Sequence, residues 1–312
     1  MMREVRLLAG SLRNRAVVWI AGLFFFSIFG IRLVKVLLLP IEFVRCIRSL
    51  PRVVRYAKML LPRQGAIKSL VLFHVAQADQ AVWSALVHNA WDRTLKYNDF
   101  SAADELRNIA GRGKGMLLLG MHYGAFFGGY VLYRSGLNPV ILAAQVNIPG
   151  LDRFPFKKVL TNEYVFRGSY NGLVKAGQAE RRFVGMVLAH RPGMIIMDGI
   201  AEANFLITKC LGIDYPIGIF PFKLALTQAL PVVVMWFSKI KGKGYKLNIR
   251  EINFSSIEEG IAQYAALLDQ IVRADPFRWF YGPDFAGYYD RLKEKPFDEG
   301  PIGPRTVSGK ER

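Results

Sequence analysis

From Gly111 onward, short apolar runs of strand length alternate with longer runs of helical spacing, and this alternation most narrows what the chain can fold into. Residues 116–119, 139–144, 194–197, 232–237 and 245–254 read as strands. Helical segments lie between them. One follows Gly124 to Ser135, where Gly136 suits a left-handed stop. A second covers 171–190 and ends at Pro192-Gly193, and a third covers 221–229. The run Lys241-Gly-Lys-Gly244 reads as a hairpin turn, and Ser256 with Glu259 supplies a capping box for the last long helix. The expectation is an α/β fold, a mixed sheet flanked by helices.

The first 110 residues differ in texture. Residues 16–31 carry no charge and sit between Arg15 and Arg32, and residues 33–44 extend this apolar run with charges only at Lys35 and Glu42. The run is short for a clean membrane span, yet flanking arginines can snorkel or hold the helix in the interface. No small-residue cleavage site follows it, which argues against a signal peptide. It reads as an N-terminal hydrophobic helix that anchors the chain to a membrane. Thirteen Lys or Arg fall in residues 1–68 against only Glu4 and Glu42, so +11 of the net +18 flanks this segment. Such clusters are drawn to anionic lipid. Because these basic residues are interleaved with Leu, Val and Ile and no nucleic-acid module is visible, nucleic acid is not the expected partner. The resulting layout is a basic-flanked anchor over 1–60, a helical lead-in over 61–110, the α/β domain over 111–290 and a disordered tail over 291–312.

From Leu50 helical spacing is broken at Pro51, Pro62 and Gly65 and then runs on through the lead-in to residue 108. His74 and Asp79 fall there five residues apart. On one helix that spacing separates the side chains by about 140°, so the pair does not converge. His88 reads as an ordinary helical histidine. Cys46 and Cys210 stand alone, which gives neither a disulfide framework nor a metal-ligand pair, and no metal is expected. The glycines at 111, 113 and 115 precede a strand and lack a Gly-Lys-Ser/Thr ending, which excludes a phosphate-binding P-loop.

The chemistry concentrates at His122. It follows the strand over 116–119 and lies in the turn Gly120-Met-His-Tyr-Gly124, where a side chain is presented at the carboxyl edge of a sheet. An imidazole there can take a proton from an attacking hydroxyl and return it to a leaving group.

The segment Gly115-Met-Leu-Leu-Leu-Gly-Met-His-Tyr-Gly-Ala-Phe-Phe-Gly-Gly129, continued by Leu137-Asn-Pro-Val140, resembles the opening motif of the lipid A biosynthesis (lauroyl/myristoyl-type) acyltransferases, within the lysophospholipid acyltransferase superfamily. Phe166-Arg-Gly168, Arg191-Pro-Gly-Met-Ile-Ile-Met-Asp198, Leu211-Gly212 with Pro216 and Gly218, Leu230-Pro-Val-Val-Val234, and Asp275-Pro276 with Trp279 follow in the matching order. The resemblance spans roughly residues 10–285. It implies an α/β acyltransferase at the cytoplasmic face of the bacterial cytoplasmic membrane. The enzyme would move a fatty acyl group from acyl carrier protein or acyl-coenzyme A, as co-substrate and with no resident cofactor, to a hydroxyl or amine of a membrane lipid, glycolipid or related acceptor. His122 would be the base, and backbone donors near Tyr123 and Gly124 would stabilise the oxyanion. Phe126, Phe127 and Tyr130 would line the acyl pocket, Arg167 would hold an anionic headgroup and Gly212 would help close the site. The basic surface would speed encounter with an acidic carrier.

Two positions depart from that pattern. The family places an Asp or Glu five residues after the histidine, but here that residue is Phe127, and no carboxylate occurs between Glu105 and Asp152. Asp198 and Glu202 are the candidates to replace it, since a carboxylate at one strand's end can face the end of its neighbour. Gly282-Pro-Asp-Phe285 stands where lipid A enzymes carry a basic ending, which argues against a phosphorylated saccharolipid acceptor. The competing expectation from Phe127 is a catalytically degenerate relative that binds acyl chains or serves as a scaffold subunit.

Overall fold

The computed structural model describes residues 28–46, 50–113, 115–124, 128–142, 178–198, 204–280, 282–283 and 285. The expected tail over 291–312 and the run 16–27 of the expected anchor lie outside them.

Three helices lead in, α1 (Ile28–Cys46), α2 (Leu50–Leu60) and α3 (Ala66–Asn89), followed by short turns over Trp91–Thr94 and Leu95–Tyr97 and by α4 (Ala102–Ala110). The helical reading past Gly65 is therefore corrected at two places. The chain leaves the helix at Ala90, where φ is −144°, and turns again around Asn98, whose side chain caps neighbouring backbone by accepting from the Tyr245 amide and donating to the Thr94 carbonyl.

The α/β part follows in the order β1 (Met116–Gly120), α5 (Gly128–Arg134), β2 (Val140–Leu142), α6 (Gln178–Leu188), β3 (Pro192–Ile196), β4 (Phe205–Cys210), β5 (Ile213–Gly218), α7 (Phe220–Gln228), β6 (Val232–Lys239), β7 (Tyr245–Ile252) and α8 (Ile257–Ala274). Five strands form one sheet in the order β2-β3-β1-β6-β7, parallel except for the antiparallel hairpin β6–β7, so the sheet is mixed as expected. β4 and β5 make a separate antiparallel hairpin.

Strand alternation sorts the core into two layers. Leu117, Leu119, Met121 and Tyr123 point to the face covered by α6, α7 and α8, through Phe183, Phe222, Tyr264 and Leu268. Met116 and Leu118 point to the opposite face, covered by α1, α3, α4 and α5, through Ile31, Trp83, Leu86, Leu106 and Val131. With helices on both faces, β1 is buried along its whole length and reads as continuous Met-Leu-Leu-Leu rather than alternating.

The expected N-terminal anchor meets a different arrangement where it is described. In α1, Ile31 and Val34 are buried at 1% exposure and pack in the layer beneath α3, while Val36 and Leu37 are exposed. Among the described residues, the one helix long and apolar enough to cross a membrane is instead α3, and 61% of its apolar window is buried inside the fold. That burial is what a core helix shows.

The last helix begins as its sequence indicates, with Ser256 Oγ accepting from the Glu259 amide at 3.1 Å. The reciprocal half of the box is shifted by one residue, because Glu259 Oε2 accepts from the Ser255 amide and hydroxyl rather than from Ser256.

Candidate active site

β1 and β3 run parallel in a register that pairs Met116 with Pro192 and Gly120 with Ile196. The Met197 amide donates to the Gly120 carbonyl at 2.9 Å, which carries the pairing past both strand ends. Two residues beyond the last ladder pair on each strand stand His122 and Asp198. The shared register sets them side by side at the carboxyl edge of the sheet, where α/β folds place their ligands.

His122 Nδ1 lies 2.8 Å from Asp198 Oδ1. The His122 backbone amide donates to Asp198 Oδ2 at 2.7 Å, and Trp279 Nε1 donates to the same oxygen at 2.7 Å. The Asp198 side chain is fully buried, whereas the His122 ring keeps 25% of its surface exposed. A carboxylate in that position must be satisfied by donors, and charge-assisted bonds of this length are the strong kind. With the carboxylate on Nδ1, the neutral ring carries its proton there and presents its lone pair at Nε2. The arrangement can accept a proton at Nε2 and hold the resulting imidazolium against a negative charge.

Three elements brace the pair. From the β4–β5 hairpin, the Tyr215 hydroxyl donates to the Asp198 carbonyl at 3.0 Å. From α8, the Tyr264 hydroxyl reaches the Gly120 carbonyl at 3.4 Å, and burial first, then the nearby Asp198 and Tyr215, push this phenol well above its ordinary range. The third is the segment after α8. It pairs antiparallel with the His122 turn, the Phe280 amide donating to the His122 carbonyl and the Gly124 amide to the Arg278 carbonyl, both at 3.0 Å. The exposed Phe280 ring lies 6.4 Å from the imidazole.

Gly124 makes this turn possible. Its φ is +83°, and a Cβ there would lie 1.9 Å from the carbonyl oxygen of Phe237 on β6. Neither the left-handed backbone nor the close approach tolerates a side chain. Gly124→Ala is expected to destabilise the protein by about 3 kcal/mol or more, lowering the melting temperature by roughly 6–12 °C in a thermal melt.

The residues singled out from sequence divide clearly. Asp198 faces His122. Phe126, Phe127, Arg167 and Glu202 lie outside the described residues. Tyr123 is buried at 3% exposure beneath the turn, and burial above all raises its phenol. The Gly124 amide, expected as an oxyanion donor, is instead committed to the Arg278 carbonyl. Tyr130 packs in the layer against α3, 4.9 Å from the His88 ring and 5.7 Å from Trp91. Gly212 turns the β4–β5 hairpin together with Leu211, both at positive φ, and the hairpin reaches the dyad through Tyr215. Cys210 is a buried thiol, pushed by burial up to about 12. Among the described residues, no three metal-ligating side chains gather at one point.

Sequence reading missed a buried charge cluster directly behind the site. Asp79 does not meet His74. It pairs with Lys239 Nζ at 2.8 Å, with Arg278 at 3.1 Å and with Lys35, and it accepts from the Tyr245 hydroxyl at 2.8 Å. Burial pushes the Asp79 carboxyl up, but Lys239, Lys35 and Arg278 together hold it at about 2. Burial pushes the Lys239 ammonium down to about 7, against the pull of Asp79. Arg278 also donates to Asp275 Oδ2 at 2.7 Å, so the residue beside Trp279 is gripped from both sides. The charged partners of Asp79 come from three distant segments, and nothing in the sequence around it points to them.

Compared with known proteins, the chain matches no protein-family model and none of the curated proteins.

Proposed function

We propose that this protein is a membrane-associated acyltransferase that moves a fatty acyl group from a carrier thioester to a hydroxyl or amine of a lipid, glycolipid or related acceptor. The observation that carries the reading is the dyad of half-buried His122 and buried Asp198 at the carboxyl ends of two adjacent parallel strands. In this reading Asp198, at the end of the neighbouring strand, takes the role of the carboxylate missing at position 127.

The dyad suits the reaction step by step. The acceptor hydroxyl gives its proton to His122 Nε2 as its oxygen attacks the thioester carbonyl, and Asp198 stabilises the imidazolium that forms. When the tetrahedral adduct collapses, the C–S bond breaks and the departing thiolate takes the proton back from His122. The resemblance of the His122 and Asp198 segments to lipid A acyltransferases supports acyl carrier protein or acyl-coenzyme A as donor. The basic, apolar N-terminal region supports the cytoplasmic face of a bacterial cytoplasmic membrane as the place.

One observation favours the second reading, a degenerate relative that binds acyl chains as a scaffold: the Gly124 amide is already spent on Arg278, so it adds nothing to an oxyanion hole. Both readings meet in one experiment. The purified full-length chain is incubated with labelled acyl carrier protein or acyl-coenzyme A and membrane extract, beside His122→Ala. We expect label to appear in lipid and to fall by about 10⁴-fold in the variant, the upper range for loss of a general base. Transfer that survives His122→Ala would remove the base assignment. Label retained by the chain and passed to no lipid would establish the scaffold.

A further inference from the structure

Three donors converge on the Asp198 carboxylate, and they fix its plane only as a set. Oδ1 is used by the His122 ring, and Oδ2 by the His122 amide and the Trp279 indole. The two bonds from His122 come from one residue, so they can pivot together with the turn that bears them. The indole N–H comes from another part of the chain and provides the independent point of reference.

Its own position is fixed by everything around it. Residues 278–280 pair with residues 122–124 as a short antiparallel strap, and side chains alternate along it. Arg278 enters the Asp79 cluster, where it contacts Asp79, Asp275 and the Tyr245 hydroxyl. Trp279 turns inward with no exposed surface, and Phe280 turns out beside the imidazole. Gln80 Nε2 donates to the Arg278 carbonyl at 2.8 Å, and the Tyr56 hydroxyl to the Pro276 carbonyl at 2.8 Å. The indole ring itself packs 5.0 Å from Phe285 and 6.3 Å from Tyr56. The N–H is thus aimed at Asp198 by a frame anchored on α2 and α3, outside the sheet that carries the dyad.

We propose that Trp279 is the positioning residue of the dyad: its indole N–H locks the plane of the Asp198 carboxylate, and through it the Nδ1–H tautomer of His122. The inference rests on the reading of His122 as a proton acceptor. It adds that the acceptor nitrogen is chosen by a tryptophan more than eighty residues further along the chain. Without that donor, Oδ2 keeps only the His122 amide, the carboxylate rotates, and the ring populates the Nε2–H form that cannot accept a proton where substrate approaches.

The test removes one hydrogen and preserves the ring. Trp279 is replaced by benzothienylalanine, in which sulfur stands for the indole N–H, with Trp279→Phe as a second variant and thermal melts to establish folding. The ¹⁵N shifts of the His122 imidazole, assigned by comparison with His122→Ala, report the tautomer directly. Acyl-transfer kinetics with a labelled carrier thioester report the consequence. We expect wild type to hold a single Nδ1–H tautomer and the sulfur analogue to show a mixture. Its kcat should fall about 10- to 100-fold with KM nearly unchanged, the range seen when the partner behind a metal-bound histidine is removed. A His122 ring that stays a single Nδ1–H tautomer in the analogue overturns the inference, whatever the activity. The tautomer readout needs no substrate, so failure of the acyl-transfer reading would appear in the kinetics alone and leave this result separate.

Discussion

Asp198→Asn is expected to lower kcat by about 10³- to 10⁴-fold while leaving the fold intact. The amide has the shape of the carboxylate but only one acceptor oxygen in place of two. Its oxygen can satisfy the His122 amide and the Trp279 indole, which both point at Oδ2, and its NH2 group is then left facing His122 Nδ1. Two donors cannot face each other. The ring must offer a lone pair at Nδ1 and carry its proton on Nε2, which is the wrong tautomer for accepting one from substrate. In the serine-protease triad the same exchange keeps the geometry and costs about ten-thousand-fold in turnover for this reason. Steady-state kinetics of acyl transfer, with circular dichroism to confirm folding, would check it. An Asn variant within a few-fold of wild type would mean that the carboxylate does not set the tautomer.

Asp79→Ala should have the largest effect on stability, about 3–5 kcal/mol, because it leaves Lys35, Lys239 and Arg278 buried around a missing counter-charge. The side chains concerned are 5–22% exposed, so water does little to relieve them. Removing a cation should behave differently. Lys239 is the member that burial already drives towards neutrality, and Lys239→Met should be nearly neutral or slightly stabilising. The pH dependence follows from the carboxyl. Asp79 is held at about 2 in the folded protein against an ordinary 3.8, so its contribution is complete above pH 3.8 and disappears as pH falls towards 2. Urea unfolding at neutral pH should therefore separate wild type from Asp79→Ala by the full amount, and the gap should narrow across that acid window as the carboxyl's charge is lost.

Much of the sheet was legible because its central strands are short apolar runs stopped by glycine. Residues 116–119 and 194–197 announce β1 and β3, and the polar side chain that follows each, His122 and Asp198, is the one that matters. Asp198 could be named as a replacement acid for that reason. The β4–β5 hairpin was hidden. It carries Thr208 and Lys209 in one strand and Pro216 in the other, and a proline argues against a strand unless, as here, the strand belongs to a hairpin outside the main sheet. Trp279 drew notice only as one segment of the acyltransferase resemblance, because nothing local to Asp275-Pro276 indicates which buried acceptor an indole will meet. Asp79 was read beside its nearest histidine. Its real partners sit on α1, on β6 and after α8, and helical or strand periodicity carries no information about such separations. The anchor was read from an apolar run with basic flanks; apolarity also marks a core helix, and of the described residues in α1, Ile31 and Val34 pack in the core while Val36 and Leu37 are exposed.

If His122 and Asp198 act as one proton-accepting unit, their losses must not multiply. The most direct measurement is therefore a double-mutant cycle on the rate of thiol release from an acyl carrier thioester at saturating membrane lipid, using wild type, His122→Ala, Asp198→Asn and the double variant. The dyad predicts that adding Asp198→Asn to His122→Ala slows release no further than about two- to three-fold, since a carboxylate has nothing left to orient. Full multiplication of the two single losses would contradict it.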